Sequence, residues 1–373
     1  MSPQIIALYL PQFHPIKEND DWYGAGFTEW TNVAKAKPLF KGHVQPRVPA
    51  DLGFYDLRMP EIREKQAQMA KDAGIAAFCY YHYWFGNGKV LLEKPLQEVV
   101  RLGEPDFPFC VCWANHSWYK KAWNPDTLKM DNNLLAEQQY FGDEDIIAHF
   151  IFLLPAFQDK RYYKVDGRLL FVIYQIWDLP DFERFKEIWN RLAHEHGLPS
   201  FYFLSFANTK KELEKTKRFV TDGTILSLLH NMEPQPPKCK LQTLVKVMKE
   251  RWYALIKKPQ FKYRYKDAMK GFLSPVCKEE SIIPVIIPNW DTTPRRGRGA
   301  MILTDAKPEY FKEHVRQAIE CVKDKPEEKQ LIFLKSWNEW GEGNYMEPDL
   351  LYGCGYLEVL KGLLNRNRYG KIY

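Results

Sequence analysis

The sequence predicts an α/β protein, a (β/α)8 TIM barrel with loop insertions at the C-terminal face of its strands. Short apolar runs alternate with longer amphipathic ones through most of the 373 residues, the pattern of strand–helix units around a parallel sheet. The apolar runs number eight, and this fold takes about 250 residues before insertions. A doubly wound open sheet is the alternative, but the first strand runs into Pro11-Gln-Phe-His-Pro15 and not into a Gly-rich phosphate turn.

The elements follow in order. Ile5–Leu10 is the first strand, an apolar run ended by Pro11. Residues 15–57, rich in Gly, Pro and Trp, read as a structured loop folded over the barrel mouth. Met59–Ala73 is helical, with Pro60 at its start and Gly74 as its stop, the usual punctuation of a helix. Strand Ala76–Tyr81, helix Leu91–Leu102, strand Phe109–Trp113 and helix Glu144–Phe157 come next, then strand Leu169–Tyr174. Helix Asp181–His196 is closed by Gly197, and strand Phe201–Phe206, helix Lys210–Lys217 and strand Thr224–Leu228 follow. After an insertion at about 232–280, strand Pro284–Ile287, helix Pro308–Lys323 and strand Ile332–Ser336 complete the set. Residues 1–373 are expected to form one catalytic domain.

The insertion holds the densest basic run, with Lys246, Lys249, Arg251, Lys257, Lys258, Lys262, Arg264 and Lys266. Within it, 241–258 places Leu244, Val245, Met248, Trp252 and Leu255 on one side of a helix. Such a segment is either a lid packed on the barrel or a contact for an anionic membrane or glycan.

The net charge of +6 is too small to argue for nucleic acid. The N-terminus has no basic leader and no cleavage pattern, so it reads as a strand and not a signal peptide. No run reaches the roughly 20 apolar residues that span a bilayer, and a cytoplasmic location is expected. Of seven cysteines, Cys79, Cys110 and Cys112 lie in apolar strands, where a thiol behaves as a small hydrophobe. Cys110-Val-Cys112 has the wrong spacing for zinc. Asp143-Glu-Asp145 sits where acids cap a helix. No metal or cofactor is expected.

Function is read from the strand ends, which in a barrel converge on one site. They supply Gln12 and His14; Tyr81, His82, Tyr83 and Trp84; Trp113, Asn115 and His116; Tyr174 and Gln175; Asn289, Trp290 and Asp291; and Trp337, Asn338 and Glu339. Amide, imidazole and carboxylate groups match sugar hydroxyls, which both donate and accept, and 15% aromatic content provides faces for pyranose C–H groups. Glu339 and Glu342 are the candidate catalytic residues. Breaking a glycosidic bond takes two carboxyl groups of different proton affinity. In a continuing strand these two would point apart; Gly341 and Gly343 permit the turn that brings them together. The competing reading is that both are surface acids, or that one of them forms a salt bridge with Arg295 or Arg296. Arg295 is otherwise a candidate for an anionic sugar group or a protein carboxylate, and Glu347, followed by Pro348, for a structural or sugar-binding role.

Ile6-Ala-Leu-Tyr-Leu-Pro-Gln-Phe-His14, Gly26-Phe-Thr-Glu29-Trp30-Thr-Asn-Val33, Pro49-Ala-Asp-Leu-Gly-Phe-Tyr-Asp56 and Trp337-Asn-Glu-Trp-Gly-Glu-Gly-Asn-Tyr-Met-Glu-Pro348 together resemble the WbsX family. That family is associated with bacterial O-antigen and capsule clusters and carries a domain similar to glycoside hydrolase family 99. The resemblance implies a metal-free retaining mechanism. Glu339 would deprotonate the sugar 2-hydroxyl, which attacks the anomeric carbon to give a 1,2-anhydro sugar, and Glu342 would serve as acid and then base. It implies an endo-acting hydrolase or transglycosidase on a bacterial surface polysaccharide or oligosaccharide. Alternatives are a glycosyltransferase of O-antigen, capsule or lipopolysaccharide biosynthesis, and a non-catalytic glycan-binding protein. The sequence departs from the hydrolases at Gly341, where they usually carry His, so the resemblance carries the acids and not the sugar.

Overall fold

The computed structural model describes residues 2–124, 129–232 and 261–368, with positions 245, 248 and 259 between the last two stretches. The helix expected at 241–258, and with it most of the basic insertion, lies outside the described residues.

Eight parallel strands form the barrel: β1 (Gln4–Tyr9), β2 (Ile75–Trp84), β3 (Phe109–Trp113), β4 (Arg168–Ile173), β5 (Phe201–Ala207), β6 (Gly223–Leu226), β7 (Ile282–Ile286) and β8 (Leu331–Leu334). Each strand pairs with the next in sequence. β1 also pairs with both β2 and β8. That double pairing closes the ring and leaves no edge to cap, which removes the open-sheet alternative. Strands β3, β5, β6, β7 and β8 are buried at every position, because side chains on one face fill the barrel and those on the other meet helices.

The helices α1 (Lys17–Tyr23), α2 (Glu29–Lys35), α3 (Pro60–Asp72), α4 (Lys94–Leu102), α5 (Asp143–Phe157), α6 (Phe182–Glu195), α7 (Lys210–Thr216), α8 (Pro308–Val322) and α9 (Gly355–Arg368) complete the frame. Pro at the first turn starts α3, α4 and α8, and the Asp181 side chain caps α6 by accepting from the Arg184 amide at 2.9 Å. In α5, Asp143 pairs with Arg184 and Asp145 accepts from Trp84 Nε1 and the Asn87 amide. These acids therefore tie the helix start to its neighbours.

Helices α1, α2 and α9, and the antiparallel hairpin Trp118–Asn124 with Lys129–Ala136, extend the pattern read from the sequence. The 15–57 segment crosses the C-terminal rim of the barrel. There Trp30 packs on Trp340 with ring centroids 5.5 Å apart, and His43 reaches Asp291 at 2.7 Å. From the insertion, Phe261–Arg264 pairs in parallel with Met301–Thr304.

Candidate active site

Past β8 the chain turns sharply, as the glycines require. Asn338–Glu339 bridges back to Asn344–Tyr345, and Trp340–Glu342 forms a single 3-10 turn ended by Gly343 at φ 60°. A side chain at Gly343 would also strike Asp291, whose amide donates to the Glu342 carbonyl at 2.7 Å. The loop after β7 thus fixes the loop after β8.

The turn brings both acids to one guanidinium. Arg295 Nη1 lies 3.0 Å from Glu339 Oε1 and 2.8 Å from Glu342 Oε1, and its Nε donates to Glu29 Oε2 at 3.0 Å. Ser336 Oγ donates to the other oxygen of Glu339 at 3.3 Å. Burial and the adjacent Glu342 push the Glu339 carboxyl up to about 7, against the pull of Arg295 and Lys335. Burial acts in the same direction on Glu342, but Arg295, Lys335, Arg296 and His230 outweigh it and hold that carboxyl below its ordinary value. Two carboxyls a hydrogen bond away from one nitrogen thus have opposed proton affinities, the arrangement acid/base chemistry uses.

A cavity of about 140 Å³ opens beside Glu342, with Trp290, Tyr174, His230, Lys335 and Arg296 in its wall. Tyr81 and Tyr83 stack 6.5 Å apart, both under the electrostatic influence of Glu339, and Gln12 Nε2 donates to the Tyr83 hydroxyl at 3.4 Å. The half-buried His116 ring lies 5.7 Å from that of Tyr174. Gln12, Glu29, Tyr81, Tyr174, Trp290 and Arg295 are therefore gathered around the acid pair.

The remaining sequence candidates occupy the packed interior. His82 Nε2 bonds His149 Nε2 at 3.0 Å, and Trp113 Nε1 donates to the Trp84 carbonyl at 2.9 Å. Asn115 clamps the Gln175 backbone through both its amide atoms, and Asn338 clamps Leu10 in the same way. Glu347 accepts from Tyr55, Gln66 and Trp340 at 2.6 to 2.8 Å. Asp291 accepts from Gln45 and the Thr293 amide, besides its contact with His43. Trp30 Nε1 donates to the Tyr55 carbonyl. His14, Asn289 and Trp337 are buried, His14 with its imidazole pushed down to about 4 by burial.

Sequence reasoning missed Lys335, His230, His43 and Gln45. One of these had a signal: Lys335 is a charge ending the apolar run Leu331–Leu334.

The family model described as "Glycosyltransferase WbsX" matches residues 5–360. The chain belongs to the WbsX family. It is 31% identical over 97% of its length to the uncharacterized protein WxcX from two strains of Xanthomonas campestris pv. campestris, and it spans about half (50%) of the length of those relatives. Among solved structures it resembles the glycoside hydrolase family 99 endo-α-mannosidase of Bacteroides thetaiotaomicron, with TM-score 0.54 and 17% identity over 98% of this chain and 99% of that one. A second, described as a glycoside hydrolase-like protein, gives TM-score 0.57 and 14% identity over 97% and 94%. At these identities the likeness establishes the shared fold.

In this WbsX chain the Gly341 position has a steric reason. A Cβ there would land on the Glu29 carboxylate and come within 2.9 Å of Arg295 Nε. The Glu29–Arg295 pair fills the space that a side chain at 341 would take, so α2, from the N-terminal segment, completes the acid site.

Proposed function

We propose that this chain is a retaining glycosidase or transglycosidase acting on a polysaccharide or oligosaccharide, with Glu339 and Glu342 as its catalytic residues. The sharing of Arg295 Nη1 by both carboxylates carries this reading. It keeps their nearest oxygens within two hydrogen-bond lengths of each other, close enough for both to act on one sugar ring.

In the mechanism the family resemblance implies, ionised Glu339 takes the proton of the sugar 2-hydroxyl. The 2-hydroxyl oxygen attacks C1 as the C1–O bond to the leaving group breaks, and the leaving-group oxygen receives the proton of Glu342. The resulting 1,2-anhydro sugar is opened at C1 by an acceptor hydroxyl whose proton goes to Glu342, while O2 recovers its proton from Glu339. In the free site burial favours the proton on Glu339 while the surrounding cations favour ionised Glu342, so this mechanism requires substrate to shift the proton toward Glu342. Gln12, Tyr81, Tyr174 and Trp290 are proposed to hold the sugar. Water as acceptor gives hydrolysis and a sugar hydroxyl gives transfer; the family's description supports transfer, including transfer from an activated donor, as the second reading.

The test is product analysis with a panel of α-linked bacterial glycans and of nucleotide sugars, using the wild type, Glu339→Gln and Glu342→Gln. Oligosaccharide release lost in either variant supports the proposal, nucleotide release supports the activated donor, and full activity in both variants overturns the assignment of the pair.

A further inference from the structure

Lys335 is only 3% exposed, and the carboxylates that act on its charge, Glu342 and Glu339, lie beyond ion-pair distance. Its ammonium has one side-chain hydrogen bond of 3.4 Å, to Asn208 Oδ1, lies beside the Tyr174 hydroxyl, and sits 5.2 Å and 5.6 Å from the ring centroids of Trp290 and Phe206. No carboxylate forms an ion pair with it among the described residues. An ammonium carries three donors, and a buried charge held at a distance from its counter-charges gains from a direct partner. Arg295, by contrast, is already shared by three carboxylates. The open volume at Lys335 is the 140 Å³ cavity next to Glu342, room for about four waters or for a carboxylate and the edge of one sugar ring.

We infer that this cavity is a subsite for a glycan residue bearing a carboxylate, with Lys335 as its counter-ion and Arg296 as a second cation at the rim. The inference rests on the glycan-processing reading above and narrows it to acidic glycans. Trp290 and Tyr174 in the same wall offer faces to the sugar ring, and the wall carries two cations, Lys335 and Arg296, against the single carboxylate of Glu342. A bound carboxylate would also offset Lys335, one of the cations that keep Glu342 ionised, and so shift the pair's proton toward Glu342. Acidic substrate would then create the acid form that bond cleavage needs.

Calorimetric titration tests the subsite with the methyl α-glycosides of glucuronate, galacturonate and mannuronate, each against its neutral hexoside, and with glucose 6-phosphate. At least one uronide should bind the wild type about tenfold tighter than its hexoside, the scale of a hydrogen bond to a charged group. That preference should fall with added salt, vanish in Lys335→Met, shrink in the exposed Arg296→Gln, and persist in Glu342→Gln. Equal binding of every acid and its neutral partner, or an undiminished preference in a folded Lys335→Met, overturns the proposal. Tighter binding of the phosphate overturns the carboxylate. Should Lys335→Met fail to fold, the salt dependence and Arg296→Gln decide. The acid preference is read without turnover, so it can stand where the glycosidase reading fails, and fall where that reading holds.

Discussion

The end of β8 and the ends of β2 and β3 are built from the same kinds of residue and come to opposite ends. Both mass titratable groups among aromatic rings at the C-terminal rim of the barrel. At β8, Glu339 and Glu342 meet Arg295 beside a cavity. At β2 and β3, His82 and His149 bond to each other, with the Trp84 ring stacked on His149 at 4.8 Å and that of Trp113 edge-on at 4.7 Å. Burial pushes His82 down to about 3 and His149 well below the usual value. The difference is strand parity. Tyr81 and Tyr83 feel Glu339 at the mouth, whereas His82 and Trp84 alternate with them and pack on α5 through His149 and Phe152. Successive side chains of a strand face opposite ways, so only alternate residues at a strand end can reach the site.

The sharpest way to break this contrast is to remove one group from each region. Glu342→Gln is expected to lower turnover on the glycan found by the product assay by about 10²–10⁴-fold, with a melting temperature within a few degrees of wild type. His82→Phe should do the reverse, leaving kcat/KM near wild type while costing about 1–3 kcal/mol in chemical denaturation, because His149 loses its partner in the dry layer. An activity loss in His82→Phe with stability intact would place that histidine pair in the site.

A smaller effect is expected at Gly341. Gly341→Ala drives a methyl group into the Glu29 carboxylate, and overpacking of this kind costs about 1–3 kcal/mol. Since Glu29 is what it strikes, the double variant Glu29→Ala/Gly341→Ala should recover part of that stability, and a double-mutant cycle measures the coupling. Strictly additive losses would mean that Glu29 does not set the residue at 341.

The barrel was legible from local pattern, since all eight apolar runs become strands with ends moved by a residue or two, and β2 extended to Trp84. Helices α1 and α2 were not, because they are short, and α2 gains its burial from long-range contacts such as Arg295 with Glu29 and Trp30 with Trp340. The acid pair could be located from its motif, and the need for a bend from Gly341 and Gly343. That Arg295 holds both acids was not legible: it could be named only as a salt-bridge partner of one acid, in the reading that competes with catalysis, since it is 44 positions from Glu339 and 266 from Glu29. The strand-end residues were read as one set because residue type was weighed and parity was not.

The two regions also tilt stability in opposite directions with pH. The unfolded imidazole of His82 takes up a proton near 6.5, while the folded one stays neutral down to about 3. The unfolded chain therefore binds more protons through that window, and stability rises with pH from about 3 to about 6.5. Glu339, raised to about 7 from 4.5, holds a proton in the folded chain that the unfolded chain has released, so its contribution falls as pH climbs from about 4.5 to about 7. Urea denaturation across this range should show a shallower acid limb in His82→Phe, by up to about 1.4 kcal/mol per pH unit. Glu339→Gln should instead lessen the decline above pH 4.5, to which Glu347, also pushed up to about 7 by burial, contributes as well, and leave the acid limb in place. If both variants changed the same limb, the two groups would share one environment, and the separation of a wet acid pair from a dry histidine pair would fail.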